Sequence, residues 1–260
     1  TATGNDVTLN LASNDFDSDD NGDTGRLVTI TGRNVNIQNS DSFNLGAQTI
    51  SGNLTVQAGG DIDDGGLLTV GGTTDITATG YVKLNNGDAS GPSDYTGAVS
   101  IDAGGAIVLK DGNSIVLGTI TTTGTFALTA SLATGITGTV TQTETGTITI
   151  GNPTTITNTG GDVRLDRGTN NFGSDGTGSV KIAGADVSVT DANLIDLGAS
   201  TVSGTYTVTA VLGNIVDSGT LAITDLATFN TSADDATITL TQTGSTFANG
   251  VSLNTAGSSG

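Results

Sequence analysis

The sequence contains no cysteine, methionine, tryptophan or histidine, and only 3% of its 260 residues are aromatic. Without histidine or cysteine, the chain cannot build a Ser-His-Asp or Cys-His catalytic group, or a metal site with imidazole or thiolate ligands. Globular cores of this size usually depend on large aromatic and sulfur-containing side chains. The missing residue types therefore argue against an ordinary globular enzyme.

Proline is also scarce, since Pro92 and Pro153 are the only two, whereas glycine occurs 40 times. Nearly every backbone N–H is thus available for a strand ladder, while turns are frequent. Collagen is excluded because glycine does not recur at every third position. Disorder is an alternative because the chain is polar and acidic, but regularly spaced β-branched residues favour a folded structure.

Basic residues are few: seven stand against 26 acidic ones, which gives a formal net charge of −19. Nucleic acids and anionic membrane surfaces would be repelled, so neither is an expected partner. No apolar run is long enough to cross a membrane, and no signal peptide opens the chain. Together with the lack of cysteine, these features predict an internal piece of a protein from the bacterial surface or exterior.

Four short motifs recur in the same order along the chain, which is typical of repeat architectures. The first is Asp6-Val7-Thr8-Leu9, which returns in related form at 81–84, 162–165 and 237–240. The other three begin at Leu27, Leu45 and Leu68 and recur in step with it. The motifs divide the chain into blocks at approximately 6–80, 81–161 and 162–236, with a partial fourth block at 237–260.

Each block consists of apolar-polar-apolar triplets bounded by glycine, asparagine or aspartate. Such alternation is typical of half-buried strands, and no segment has the period of a helix. We therefore predict an all-β fold, a right-handed parallel β-helix (β-solenoid), with about 13 rungs of roughly 20 residues and about four rungs per block. A tandem array of β-sandwiches is the alternative.

The third block carries a family resemblance. Its segments 162–165, 169–173, 179–193, 196–204 and 217–221 resemble the long repeats of filamentous-haemagglutinin-like exoproteins, and the resemblance extends over essentially the whole chain. It implies a β-helical shaft that is exported to the bacterial cell surface or medium and usually serves in adhesion. The family's secretion domain has no counterpart here, and the segment 130–145 departs from the repeat pattern.

One polar loop contains a candidate calcium site at Asp17, Asp19, Asn21 and Asp23. Oxygen ligands at alternate positions, with a glycine at the turn, are typical of the start of a D-x-D-x-N-G calcium loop. The twelfth position is Val28 rather than a bidentate glutamate. An ordinary solvated acidic turn is therefore the alternative interpretation.

Other acidic residues could in principle support glycan hydrolysis or elimination. Acids are clustered at 61–64 and 234–235, and two arginines, Arg164 and Arg167, lie close in sequence to Asp162 and Asp166. Their counterparts in other blocks change identity, which is typical of turn residues and surface ion pairs. We therefore expect no enzymatic activity.

The sequence thus predicts a structural shaft segment of a large extracellular bacterial adhesin or surface filament. Its expected partner is an unidentified glycan or protein on a host or neighbouring cell, bound through weak multivalent contacts. A fibre subunit that associates end to end and a β-helical polysaccharide lyase or hydrolase are the alternatives. The blocks differ most in one variable loop, at residues 10–26, 85–97, 166–178 and 241–249, where we expect any function beyond scaffolding.

Overall fold

A computed structural model describes residues 1–2, 4–16, 27–85, 92–130, 137–173 and 178–256 of the protein. The described residues form 32 short strands and no helix, and the strands pair in parallel. None of the described segments is a helix that is long and apolar enough to span a membrane.

The strands follow one another at short intervals along the chain. In the first half they are β1 (Val7–Leu9), β2 (Leu27–Val28), β3 (Thr31–Gly32), β4 (Val35–Asn39), β5 (Phe43–Leu45), β6 (Gln48–Ile50), β7 (Leu54–Ala58), β8 (Ile62–Asp64), β9 (Leu68–Val70), β10 (Thr74–Ala78), β11 (Val82–Leu84), β12 (Asp94–Tyr95), β13 (Ala98–Ala103), β14 (Ile107–Lys110), β15 (Ile115–Thr122) and β16 (Phe126–Thr129). In the second half they are β17 (Val140–Gln142), β18 (Ile148–Ile150), β19 (Thr154–Thr157), β20 (Val163–Leu165), β21 (Asn171–Phe172), β22 (Ser179–Gly184), β23 (Val187–Asp191), β24 (Ile195–Leu197), β25 (Ser200–Val202), β26 (Tyr206–Ala210), β27 (Ile215–Asp217), β28 (Leu221–Ile223), β29 (Ala227–Thr231), β30 (Ile238–Thr239), β31 (Thr246–Phe247) and β32 (Val251–Thr255).

These strands coil into a parallel β-solenoid of about 10 turns, with rungs about 21 residues apart. Sheet A, which runs from β1 to β32, has 14 strands, as does sheet B, which begins at β2; a third sheet, C, contains β3, β6, β9 and β12. The predicted parallel β-solenoid is thus confirmed. The predicted number of about 13 rungs was too high because loops remove residues from the coil, so that Val7 pairs with Val35, 28 residues further on.

Alternation along each strand places the apolar residues inside. In β4, β7 and β10 every second residue is buried, and the residues between them face outward. Register stacks like on like, so that Ile37, Val56, Ile76, Ile101 and Ile120 pair successively from rung to rung. Each has at most 1% of its surface exposed. β-Branched and leucine side chains thus form most of the interior, with a few buried aromatic rings, such as Phe126 and Tyr206, among them.

Glycines stand at the corners because successive rungs approach each other closely there. A Cβ atom on Gly59 would lie 1.9 Å from the carbonyl oxygen of Ser40 in the preceding rung. In the irregular segment predicted at 130–145, residues 131–136 lie outside the described residues, and a Cβ atom on Gly138 would lie 2.2 Å from the carbonyl oxygen of Asn113. Ala130 is buried there, and the next described strand is β17.

Each turn has one side formed by a single strand and another side formed by two shorter strands, and the two sides exchange roles along the chain. At β13 the first half of the strand pairs with Val116 and Leu117, while the second half pairs with Ile120, Thr121 and Thr122. The two halves of β15 then pair with separate strands, β17 and β18, so that sheet A passes from one strand per turn to two. At β22 sheet B forks in the same way, onto β24 and β25.

This exchange fixes the length of a block in turns. The first motif lies in sheet A at β1, in sheet B at β11, in sheet A at β20 and in sheet B at β30. A block therefore covers about three and a half turns, since rungs are about 21 residues apart. The predicted number of about four rungs per block was slightly too high, because sequence spacing alone does not reveal a half turn.

Candidate functional site

The variable loops are the first candidate region, because the blocks differ most there. The four residues of the predicted calcium loop, Asp17, Asp19, Asn21 and Asp23, lie outside the described residues, so this site stays a prediction. Among the residues that the structure describes, no group of three or more His, Cys, Asp or Glu side chains is arranged to hold a metal ion.

Each of the first three variable loops contains an aromatic residue whose backbone is tied to the following rung. The N–H groups of Phe16, Tyr95 and Phe172 donate to the side chains of Asn39, Asp111 and Asp191 at 2.9, 3.0 and 2.7 Å, respectively. Tyr95 and Phe172 are 1% exposed, and both aspartates are fully buried. The side chains of Asn39, Asp111 and Asp191 therefore serve as anchors that hold the loops to the shaft.

Sequence reasoning missed these three anchors, although a signal was present. Each anchor opens a short polar turn, as in 39–41, 111–113 and 191–193, and the three occurrences are spaced like the blocks. Asp111 and Asp191 also accept the N–H groups of Asn113 and Asn193, both at 2.7 Å. An aspartate followed two residues later by an asparagine is a turn signature that could have located them.

Burial sets the electrostatics of the two aspartate anchors. Loss of hydration raises the pKa of Asp111 to about 6, despite the hydrogen bonds from Asn113 and Tyr95, which lower it. Burial likewise raises the pKa of Asp191 to about 6. Charged carboxylates are disfavoured in such surroundings, so both anchors titrate closer to neutral pH than ordinary aspartates do.

The acidic cluster at 61–64 consists of residues that cap or brace neighbouring rungs. Asp61 Oδ1 accepts the backbone N–H of Tyr81 at 2.8 Å, and Asp64 Oδ1 accepts that of Asn85 at 2.8 Å. Asp63 accepts the Tyr81 hydroxyl at 2.6 Å, while Lys83 Nζ lies 3.8 Å from the centre of the Tyr81 ring. Asp61 lies in the turn before β8, as predicted, whereas Asp63 and Asp64 belong to β8 itself, so the turn interpretation was wrong for these two acids.

The second acidic cluster, Asp234 and Asp235, is exposed in the turn before β30. Asp235 has a φ of 60°, in the left-handed region, which aspartate tolerates better than most residues do. This conformation is typical of a tight turn.

A shallow groove of about 240 Å³ on sheet A contains part of the predicted Arg-Asp cluster. It is lined by Arg164, Asp166 and Asp186, among others, but not by Arg167 or Asp162. Arg164 forms an exposed ion pair with Asp162 at 3.2 Å. Hydrogen bonds from the backbone and hydroxyl of Thr205 lower the pKa of Asp186, so this carboxylate caps a rung rather than acting as a general acid.

The same groove occurs a second time on sheet A, near the start of the chain. This copy is also about 240 Å³; its lining residues Thr8, Asn34 and Asn53 are equivalent to Arg164, Asp186 and Thr205, and Asp6 lines it as well. Arg33 binds the Asp6 carboxylate at 2.8 and 3.0 Å, and this pairing lowers the pKa of Asp6 to about 2. The recurrence indicates that the groove is a product of the repeat and not a unique site.

A wider surface hollow of about 560 Å³ lies beside the third variable loop. Its lining consists mostly of threonine and asparagine, including Thr121, Thr149, Asn152 and Asn171. The Asn152 side chain donates to the Thr123 carbonyl at 2.7 Å, which fixes one wall. The hollow offers neutral hydrogen-bonding groups without a charged or nucleophilic residue.

Comparison with known proteins gives a family but no functional relative. A family described as repeats of unknown function (DUF5649) matches residues 32–102, 104–179 and 184–254. Searches of curated proteins and of solved structures found no match. The three matched segments begin 72 and 80 residues apart and together cover most of the chain. The chain therefore belongs to this family of repeats of unknown function.

Proposed function

We propose that the chain is a shaft segment of a large extracellular bacterial adhesin or surface filament, which holds a binding region away from the cell. The observation that carries this proposal is a continuous parallel solenoid whose surface features recur from block to block. About 10 stacked turns correspond to a rod of roughly 50 Å at the spacing of β-strands. Such a rod resists bending because each rung is hydrogen-bonded to the next.

The acidic surface supports the extracellular part of the proposal. A net charge of −19 keeps a long exposed structure soluble and limits its association with other anionic surfaces. Contact with a glycan or protein on another cell would then depend on many weak neutral hydrogen bonds, such as those offered by the threonine-rich hollow. No catalytic turnover is part of this role.

Antibodies against the chain test the proposed location in the source organism. We expect them to label intact cells or the culture medium. Labelling that requires lysis of the cells would contradict the proposal.

Deletion of residues 104–254 from the full protein tests the shaft role separately, since it should shorten the projection and weaken adhesion while export continues. Unchanged adhesion would contradict a role in reach.

Assembly into a fibre is a second candidate function, favoured by the two ends of sheet A. Among the described strands, β1 and β32 each pair on one side only, so the other edge of each is free of a described partner. Leu9 is 39% exposed at one end, and Leu253 is 57% exposed at the other. Electron microscopy of the purified chain at increasing concentration tests this function, which predicts long filaments; isolated short rods would contradict it.

A further inference from the structure

An asparagine followed by a glycine lies in the exposed turn before β32. We propose that this pair, Asn249 and Gly250, is a site of spontaneous covalent modification, at which the asparagine becomes aspartate or isoaspartate and weakens the attachment of β32 to β29. Gly97 and Gly178 occupy the position of Asn249 in the two preceding blocks, so the repeat itself does not require an asparagine there. The reaction depends on the chemistry of this turn and is independent of the proposed shaft role.

The modification needs only these two residues and water. The backbone nitrogen of Gly250 attacks the side-chain carbon Cγ of Asn249, so that an N–Cγ bond forms. The bond from Cγ to Nδ2 breaks, and ammonia leaves with the proton from the Gly250 nitrogen. The product is a cyclic succinimide. Water then adds to one of the two ring carbonyls, which opens the ring to aspartate or isoaspartate without any oxidant or reductant.

The turn leaves both reacting groups accessible. Asn249 and Gly250 are exposed, and the Gly250 N–H donates no backbone hydrogen bond to another described residue. Gly250 has a φ of 100°, in the region that glycine tolerates best. A Cβ atom at this position would meet no heavy atom within 4 Å beyond the neighbouring residues. The nucleophilic nitrogen is therefore neither occupied by a partner nor covered by another rung.

Asn152 provides a matched comparison within the described residues. It is exposed like Asn249, and its side-chain amide donates to the Thr123 carbonyl of the preceding turn at 2.7 Å. Asn249 donates in the same way to Asp225 Oδ1 at 2.7 Å. The residue after Asn152 is Pro153, whose nitrogen carries no hydrogen and cannot close the succinimide ring. The two asparagines thus differ in the nucleophile that follows them.

The modified side chain would face a carboxylate of the neighbouring rung. The side chain of Asn249 donates to Asp225, and at the same corner the Gly250 carbonyl accepts the N–H of Ala227 at 3.2 Å. A carboxylate in place of the amide has no hydrogen to donate, so this hydrogen bond would give way to repulsion between like charges. Isoaspartate also lengthens the backbone by one methylene group, which disturbs the register of β32 on β29.

Mass spectrometry of the full 260-residue chain tests the modification. The purified chain is aged at mildly acidic and at mildly alkaline pH, and its peptides give the converted fractions of Asn249 and Asn152. We expect Asn249 to convert at least several-fold faster than Asn152, and faster at the higher pH, because the Gly250 nitrogen must lose its proton. Peptide analysis separates this site from the Asn-Gly pairs at 21–22 and 86–87, which lie outside the described residues. Equal conversion of the two asparagines, or none at Asn249, would overturn the proposal.

Urea midpoints test the effect on β32. The midpoint should fall during ageing, and it should fall less in the Asn249→Gln chain, because glutamine would have to close a larger ring. The N249D variant reproduces the aspartate product, and we expect its midpoint to lie below that of the parent chain. The double variant N249D/D225N should recover part of the loss, since the opposing charge is gone. A midpoint for N249D equal to that of the parent, or no recovery in the double variant, would overturn the weakening of β32.

Discussion

The same sequence motif is core in the middle of this molecule and surface at its end. Val99 and Val180 are fully buried, whereas Val251, at the equivalent position in β32, is 42% exposed. Ile101 and Ile182 are at most 1% exposed, and their counterpart Leu253 is 57% exposed. The pattern of apolar and polar residues is alike in all three places. The difference is that another rung covers β13 and β22, but none of the described rungs covers β32.

Burial in this fold is therefore conferred by the neighbouring rung. Each strand contributes two or three inward side chains, which remain half covered until the next turn is laid on them. Solenoid stability is accordingly a sum of the intrinsic stability of rungs and of the contacts between neighbours. Substitutions of the same kind should have very different effects in central and terminal rungs.

The largest contrast is expected between Ile101→Ala and Leu253→Ala. Ile101 is stacked between Ile76 and Ile120, so its removal should lower the free energy of unfolding by about 2–5 kcal/mol. Leu253→Ala should change it by less than about 0.5 kcal/mol. Urea denaturation followed by circular dichroism measures both, and equal losses would contradict the comparison.

Replacing a glycine at a corner between closely stacked rungs should lower the stability of the fold more than replacing a glycine in an open turn. In Gly59→Ala the new methyl would meet the Ser40 carbonyl, and we expect a loss of about 3 kcal/mol. Gly168→Ala is the matched control, because its nearest neighbour would be Val211 Cγ2 at 3.6 Å. The control should be within about 0.5 kcal/mol of the parent chain. Thermal melting of both variants distinguishes close approach from general glycine loss.

The buried anchors and the exposed first rung should respond to pH in opposite directions. For Asp111 and Asp191, the folded pKa of about 6 exceeds the ordinary value of 3.8. Their favourable contribution is complete below about pH 4 and is lost as the pH rises through 6, on the order of 2 kcal/mol per carboxyl. Asp6 has the opposite effect on stability. Because its pKa is lowered, its charged carboxylate stabilises the fold above about pH 3.8, and this stabilisation disappears as the pH falls towards 2.

Urea midpoints measured between pH 2 and pH 8 check this prediction. The double variant D111N/D191N should lose most of the decline on the alkaline side, because asparagine already serves as the anchor at Asn39. Asp6→Asn should leave that decline unchanged. A decline that persists in the double variant would show that other groups cause it.

The smallest effect is expected for the ion pair of the first rung. Arg33 and Asp6 are both exposed, with 57% and 46% of their side-chain surface accessible. Exposed pairs contribute little because water and salt screen them. Arg33→Ala should therefore shift the urea midpoint less than any substitution above, and the shift should vanish in 1 M NaCl. A large shift that persists at high salt would contradict this view.

Much of this structure could be predicted because the pattern is local. Triplets such as 54–56 and 126–128 fix which residues face inward, and their recurrence fixes the parallel stacking. The half turn could not be predicted, since it depends on how many residues each loop removes from the coil. The buried anchors Asp111 and Asp191 were missed because a charged residue at a turn is normally exposed. The interpretation of the acids at 61–64 as turn residues was wrong for Asp63 and Asp64, because a pattern of acids that change between blocks does not distinguish a turn from the strand beside it.

Lengthening the chain tests most directly whether a neighbouring rung creates the core. The longer chain consists of residues 1–254 followed by a second copy of residues 184–254. This junction keeps the repeat in register, because Asn254 in β32 corresponds to Ala183 in β22, which residue 184 follows. The added rungs would then cover β32 as β24 and β25 cover β22. In this longer chain, we expect Leu253→Ala to lower the free energy of unfolding by about 2–5 kcal/mol, as at other core positions. If the longer chain folds and the loss stays below about 0.5 kcal/mol, stacking does not determine burial and the account is wrong.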